Sequence, residues 1–344
     1  MERDQATSTR HPGLIPMAAD PLVAVSYPAD DEFAQINTRV LDGSARVAFL
    51  HGRPDDEVRE VLGRADVLVG WHLGEELPAG ALADSARLRF VQLLSAGADS
   101  VDYTALPERL LLASNAGAYA EPMAEYVMAV TLALARRLPQ RHAEMARGEF
   151  GMWKPVLTLD GAVCVVLGFG GIGRATAHLM RAFGARIHAV NTSGRTDEPV
   201  EFAGTLADLD QELAAADVLV IALPLTRATR GLIGSRELAL MKPAAILVNV
   251  GRAAIVDEWA LYEHLRDRPD FCAGLDAWWH EPGPGSAFAT EYPFFDLPNL
   301  IGSPHNSGVT DGALQVGAVK AAENVRRFLR GEAVIGVIRR EDYL

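Results

Sequence analysis

One unbroken run narrows the fold of this chain more than any other. The apolar stretch Val163-Cys-Val-Val-Leu167 passes directly into Gly168-Phe-Gly170-Gly171-Ile172-Gly173, and then into a segment with Ala and Leu on one helical face. A short β-branched run without polar alternation reads as a strand buried on both faces, which implies a parallel sheet covered by helices. Within the G-x-G-x-x-G, Gly168 permits the tight turn, Gly170 lets the backbone approach a pyrophosphate and Gly173 allows close helix–strand packing. The helix start then offers unpaired N–H groups and its positive dipole end. Alone the motif is weak, because a glycine-rich turn can be purely structural. Here a strand precedes it and a helix follows, and the segment points to a bound dinucleotide.

The same alternation runs from end to end, the pattern of an α/β protein with parallel sheets. Strands are expected at Leu22–Ser26, Val47–Leu50, Val67–Trp71, Leu88–Leu93 and Leu110–Ser114, with a helix at Asp30–Leu41. The pattern restarts with strands at Val163–Leu167, Arg186–Val190, Val218–Ala222, Ala245–Val250, Phe271–Asp276 and Leu300–Ser303. Helices are expected near Ile172–Phe183, Leu206–Ala215, Asp257–Arg266 and Thr310–Arg330. A long helical segment, Tyr119–Arg147, joins the halves and ends in the connection Gly148–Pro155. Its Tyr126, Val130, Leu134 and Leu138 share one face, which suggests a homodimer interface in the 119–147 region. A length of 344 residues fits two domains. The last helix is expected to return to the first half. The expected division is a flexible extension at 1–20, one domain of 21–117 plus 309–344, and a dinucleotide-binding domain of 118–308.

Acidic residues outnumber Lys plus Arg by 45 to 32, a net charge of −13. That sign argues against a nucleic-acid or anionic-membrane surface. The arginines at 326, 327, 330, 339 and 340 read as a solvated helix and tail, since no aromatics are interleaved with them. No stretch is long enough to span a bilayer and no secretory leader is visible. Cys164 and Cys272 both sit in apolar runs, supporting neither a disulfide nor a metal site. The expected location is a reducing one, the cytoplasm.

The next strand end should carry the residue that reads the cofactor ribose. Asn191 stands eighteen positions past Gly173 (191 − 173), where NAD proteins usually carry an acid. Thr192, Ser193 and Arg195 follow; the hydroxyls can donate hydrogen bonds and the guanidinium can pair with a phosphate. These residues favour NADP(H) over NAD(H). Three further strand ends carry ionisable groups: Asn249-Val250-Gly251-Arg252, Asp276-Ala-Trp-Trp-His-Glu281-Pro, and Ser303-Pro-His305-Asn-Ser-Gly308. In open α/β sheets that edge lines the ligand crevice. Arginine forks a carboxylate or carbonyl oxygen, histidine exchanges a proton near neutrality, and a carboxylate orients and charges the imidazole.

Taken in this order, the motifs resemble the D-isomer-specific 2-hydroxyacid dehydrogenase family over nearly everything after residue 22. Leu223-Pro224-Leu-Thr226, followed by Thr229-Arg-Gly-Leu-Ile233, adds to the likeness. The resemblance implies a Rossmann domain and a flavodoxin-like substrate domain, both doubly wound. It implies Arg252 as the substrate-orienting arginine, Glu281 as the acid paired with histidine, and His305 as proton donor or acceptor. Leu94-Ser-Ala96-Gly97-Ala-Asp99 looks like the loop whose Ala96 and Gly97 amides hold the substrate carboxylate. Cofactor contacts would extend to Leu223, Pro224, Thr229, Val250, Gly251, Arg252, Asp276, His305 and Gly308, with Asp276 near the nicotinamide carboxamide. Trp153 matches a tryptophan usual before the nucleotide fold, and a homodimer is implied.

Two departures stand out: Asn191 replaces the usual Asp, and Glu281 lies 24 positions before His305, farther than is usual, with an insertion at 283–293. Related formate dehydrogenases carry a glutamine where this chain has Glu281, which disfavours formate. The expected activity is hydride transfer between NAD(P)H and a small 2-oxo acid lying between the domains, whose closure expels water. The rivals are a nucleotide-sensing, non-catalytic binding protein on the same scaffold, and a dehydrogenase of another small substrate such as phosphite. His280, beside Glu281, is a decoy for the catalytic histidine.

Overall fold

The apolar runs form parallel strands because helices cover both of their faces. The computed structural model describes residues 20–283 and 285–344, so the extension expected at 1–20 lies, except for Asp20, outside the described residues. The chain divides into two units. One takes the chain up to Ala118 together with Asp311–Leu344, and the other is Tyr119–Thr310.

In the first unit, β1 (Leu22–Val25), β2 (Arg46–Phe49), β3 (Val67–Gly70), β4 (Phe90–Leu93) and β5 (Leu111–Ala113) make a sheet of order β2-β1-β3-β4-β5. That is the flavodoxin-like order. Successive residues of a strand point to opposite faces. Val23, Val25, Val67 and Val69 pack on Ile36, Leu41, Ala318, Ala321 and Val325. Ala24, Leu68 and Val91 face Val58, Val61 and Leu62 on the other side. The C-terminal helix Ala313–Leu329 belongs to this sheet: its Phe328 ring stacks on Phe90 of β4 at 4.7 Å. Asn324, 6 % exposed, fixes that helix to the sheet and to the tail behind it. It donates to Gln92 Oε1 (2.7 Å) and Ile335 O (2.8 Å), and accepts from the Ile335 amide (2.8 Å).

The second unit holds β6 (Val163–Leu167), β7 (Arg186–Val190), β8 (Phe202–Gly204), β9 (Val218–Ile221), β10 (Ile246–Asn249), β11 (Cys272–Leu275) and β12 (Leu300–Gly302). Their order is β12-β11-β10-β9-β6-β7-β8, the Rossmann winding with β12 added at one edge. Val165 and Leu167 point to one core. Cys164 and Val166 point to the other, where Val127, Val130 and Leu134 meet Ala177 and Met180. Both thiols are free and buried. No helix among the described residues is long and apolar enough to cross a membrane.

Two expectations are corrected here. The segment 119–147 is not one helix but two, Ala120–Ala135 and Leu138–Ala146, parted at Arg137, whose φ is 54°. Pro139 explains the break: it has no N–H to donate and disfavours helical backbone just before it, so it fits only the first turn of a new helix. The break lets the Arg137 guanidinium donate to Pro269 O (2.9 Å) and Asp270 O (2.6 Å). The second correction follows from the first. Val130 and Leu134 are core residues of this same unit and Leu138 is exposed on the other helix, so the four residues form no common free face. A further strand, β8, pairs with β7 although Phe-Ala-Gly carries no β-branched signal.

Asn324→Ala would leave the part-buried Ile335 amide without its acceptor and the fully buried Gln92 without its donor. An unmet buried group costs ~1–3 kcal/mol. The variant should therefore unfold at a lower urea concentration, and an unchanged midpoint would show that the tail is held by its apolar contacts alone.

Candidate active site

The glycine turn separates its glycines by function. Gly168 turns the chain at φ 93° directly after β6. Gly173, in the first turn of the helix Gly171–Ala182, lies so close to the Gly168 carbonyl that a β-carbon would overlap it. Those two are demanded by the protein's own packing. Gly170 is not: a β-carbon there would meet no protein atom. It leaves bare the helix start, where the amides of Gly171, Ile172 and Gly173 precede any possible intrahelical partner. An opening of this kind fits a pyrophosphate. The loop after β9 abuts the turn, since Gly168 packs against the backbone of Ala222 and Leu223. Thr229, 5 % exposed, holds that loop by donating to Pro224 O (2.7 Å) and accepting from the Thr226 amide (2.8 Å).

At the end of β7 the chain makes a tight polar turn. Asn191 Oδ1 accepts from the Ser193 amide (2.9 Å), and Asn191 Nδ2 donates to Arg195 O (2.8 Å). Thr192, Ser193 and Arg195 are exposed. The turn thus presents an amide, hydroxyls and a guanidinium where a carboxylate would otherwise stand.

The ends of β10, β11 and β12 carry the rest. Asn249, fully buried, shapes the first turn by accepting from the Gly251 amide (3.0 Å) and donating to Arg252 O (3.0 Å). Val250 bonds through its amide to Ile221 O of β9 (3.1 Å). Glu281 is held from two sides: Oε1 accepts from the Trp278 amide (2.9 Å) and Oε2 meets His305 Nδ1 at 2.8 Å. Burial pushes the Glu281 carboxyl up, but the bonds from His305 and Trp278 and the charges of His305 and Arg252 outweigh it, leaving the group below its ordinary range. The Arg252 charge therefore lies within electrostatic reach of the pair.

His305 has a φ of 52°, a left-handed conformation that costs a residue with a β-carbon ~1–3 kcal/mol. Asp276 holds it there. The Asp276 carbonyl accepts from the His305 amide (2.8 Å), and its carboxylate, 1 % exposed, accepts from the Asn306 (2.9 Å) and Ser307 (3.1 Å) amides and the Ser303 hydroxyl (2.6 Å). Most of the carboxylate is therefore engaged by the His305 segment. Gly308 ends the segment against the Tyr119 and Met123 side chains.

Arg252, Glu281, His305 and Asp276 thus gather in one unit with the glycine turn. Ala96 and Gly97 lie in the other unit, in the loop after β4, where the Ser95 hydroxyl donates to Gly97 O (2.7 Å). His280 stands apart from His305, with Nε2 3.9 Å from the Glu258 carboxylate. Trp153 is 88 % exposed. The insertion at 283–293 turns back on itself through bridges His280–Ala289 and Gly283–Ser286, and Phe288 packs edge-on against Trp278. Sequence reasoning passed over Asn249, Ser303 and Tyr126. Asn249 and Ser303 stood inside the motifs and only their side-chain bonds reveal them.

Residues 128–307 match the family model described as the D-isomer specific 2-hydroxyacid dehydrogenase NAD binding domain. The D-3-phosphoglycerate dehydrogenase of Methanocaldococcus jannaschii is 31 % identical over 303 residues, 87 % of this chain and 56 % of that one, so this chain spans little more than half of that relative. The glyoxylate reductase of Aeropyrum pernix is 33 % identical over 278 residues, 78 % of this chain and 82 % of that one. A crystal structure of the D-isomer specific 2-hydroxyacid dehydrogenase of Xanthobacter autotrophicus Py2, in complex with NADPH and MES, superimposes with a TM-score of 0.76. It is 26 % identical and covers 95 % of this chain and 100 % of that one. A nucleotide fold with an open glycine turn at a helix start, and a carboxylate–imidazole pair at the same sheet edge, agrees with these likenesses: the chain belongs to the D-isomer specific 2-hydroxyacid dehydrogenase family.

Proposed function

We propose that this chain reduces a small 2-oxo acid to the D-2-hydroxy acid with NADPH, reversibly. The observation that carries the proposal is the Glu281–His305 hydrogen bond of 2.8 Å, with the Arg252 charge acting on the same carboxylate. Because Glu281 takes Nδ1, the Nε2 nitrogen of His305 is the one left to hand a proton to substrate. NADPH, when bound, supplies the hydride. Arg252 orients the substrate and stabilises negative charge on the carbonyl oxygen, and the protonated imidazole neutralises that charge by giving up its Nε2 proton. Glu281, kept ionised, accepts from Nδ1 and stands beside the positive charge of the ring before the transfer. The Ala96 and Gly97 amides are the proposed hold on the substrate carboxylate. Leu223, Pro224, Thr229, Val250, Gly251 and Gly308 are proposed to line the cofactor, and the Asn191–Arg195 turn to receive a 2′-phosphate. A homodimer remains part of this proposal, with exposed Leu138, Met145, Phe150, Met152 and Trp153 as the apolar surface for it.

Glyoxylate, hydroxypyruvate, pyruvate and bulkier 2-oxo acids, each with NADPH and NADH, form the decisive panel; no turnover with any of them would favour a binding role. His305→Ala should lower turnover by ~10²–10⁴-fold, the usual worth of a general acid. A loss of only a few-fold would remove His305 from the chemistry. Glu281→Gln keeps a hydrogen-bonding side chain but removes the carboxylate charge beside the ring. Reduction should slow; an unchanged rate would mean that the ring needs only a hydrogen bond there and not the charge of Glu281. Arg195→Ala should raise the KM for NADPH and leave that for NADH nearly unchanged. Equal effects on both would count against a 2′-phosphate at this turn.

A further inference from the structure

We propose that Tyr126 and Ser303 are positioning residues for His305, acting through the buried carboxylate of Asp276. This rests on the catalytic reading of His305 given above. The Tyr126 hydroxyl lies 2.6 Å from Ser303 Oγ, and Ser303 Oγ donates to Asp276 Oδ1 at 2.6 Å. Since Ser303 spends its proton on the carboxylate, Tyr126 must donate to Ser303. The order of donors is thus fixed: phenol to serine to aspartate. Burial pushes the Tyr126 phenol up and outweighs the opposing effect of its bond to Ser303, with the nearby charge of Asp276 adding to the rise; it stays a neutral donor.

The geometry has a backbone cause. β11 and β12 are in register, with Leu275 opposite Gly302, so the next residues, Asp276 and Ser303, meet at the strand ends. The Ser303 amide bonds to Leu275 O (2.9 Å) and the His305 amide to Asp276 O (2.8 Å), continuing the ladder up to the histidine. Tyr126 is delivered by the helix Ala120–Ala135. One turn further along, Val130 of that helix packs where a β-carbon on Gly274 of β11 would stand. Only glycine permits that approach, and residues four apart on a helix share a face. The helix is therefore seated on β11 with its tyrosine above the end of β12.

What this arrangement holds is unusual backbone. His305 has left-handed φ, and the two amides after it, Asn306 and Ser307, converge on the Asp276 carboxylate. Ser303 is the side-chain donor to that carboxylate from the same segment, and Trp278 clamps the serine's carbonyl through its indole N–H at 2.8 Å. Removing the serine hydroxyl takes one of the donors from Oδ1 and leaves the phenol without its acceptor. The carboxylate is then fixed from one side fewer and can turn away from the Asn306 and Ser307 amides, and the imidazole loses its fixed aim. A misplacement of about 1 Å from such a change can cost ~10²-fold in rate.

The test uses Ser303→Ala, Ser303→Thr and Tyr126→Phe in the full chain, with His305→Ala as the reference. The first readout is amide hydrogen exchange of the 303–309 segment, which needs no substrate. Exchange at Asn306 and Ser307 should quicken ~10-fold or more in Ser303→Ala and less in Tyr126→Phe, and return to the parent rate in Ser303→Thr, which restores a hydroxyl. The second is steady-state kinetics with hydroxypyruvate and NADPH. For Ser303→Ala and Tyr126→Phe, kcat should fall about tenfold, with KM and the NADPH dissociation constant within about twofold of the parent; Ser303→Thr should recover most of the loss. Parent-like exchange in both deletion variants would overturn the proposal, as would a kcat loss that tracks the melting temperature and is not recovered by threonine. A slow Ser303→Ala beside a parent-like Tyr126→Phe would strike Tyr126 from the chain. If His305→Ala itself keeps its rate, the catalytic reading fails, whereas a slow His305→Ala beside a fast Ser303→Ala defeats only this inference.

Discussion

The register of β10, β11 and β12 sets the spacing of every candidate catalytic side chain. Asn249, Leu275 and Gly302 stand level across these three strands. The residues that follow them therefore leave the sheet from a common edge. Arg252 comes three positions past Asn249, His305 three past Gly302, and Glu281 six past Leu275, on the longest of the three turns. A one-residue slip would exchange the side chains packed on the two faces of a strand and break the fit of both layers, so the edge is a rigid baseline. The candidate side chains are carried by turns whose starting points the sheet has already fixed.

Energetically, the site rests on satisfied buried acceptors rather than on ion pairs. Asp276 is almost wholly buried, and a carboxylate in that position is tolerable only because two amides and a hydroxyl converge on it. Several ion pairs elsewhere are of another kind: Arg46–Asp20 and Arg339–Glu341 have both partners more than half exposed. Such pairs hold little, because water screens them and long side chains must be ordered to form them. The Glu281–His305 pair lies between these extremes, about one-third exposed on each side. Water can still reach it, so the imidazole is free to exchange a proton while Trp278 fixes the carboxylate's direction.

How much of this was legible in the sequence follows from which interactions are local. β6 has the bounds that its β-branched run implies, because a strand buried on both faces must be apolar throughout. The glycine turn was legible for the same reason, since Gly168 and Gly173 are required within a few residues of one another. The break at Arg137 was signalled by Pro139, but the apolar periodicity continues across it and hid it. The tyrosine–serine–aspartate chain was not legible at all. Tyr126 and Ser303 are 177 positions apart, and on the helix the tyrosine looked like any residue of an apolar stripe. Likewise His280 and His305 both neighbour acidic residues in sequence or space, and only the strand ends decide which of them meets Glu281.

The insertion at 283–293 shows why sequence distance is a poor guide to such a site. It lengthens the path from Glu281 to His305 to 24 positions, yet the two side chains stay in hydrogen-bond contact. Each end is anchored separately, Glu281 by the Trp278 amide and His305 by the Asp276 carbonyl. The extra residues are absorbed beyond those anchors, where Phe288 and Phe295 enclose the Trp278 ring and Phe295 and Trp278 crowd Gly302 of the edge strand β12. Doubling a loop costs only ~0.6 kcal/mol in closure entropy, an amount that aromatic packing of this kind offsets. The insertion is therefore free to change what surrounds the pair without moving it, and covering β12 with aromatic side chains also shields an edge that would otherwise be open to pairing with another chain.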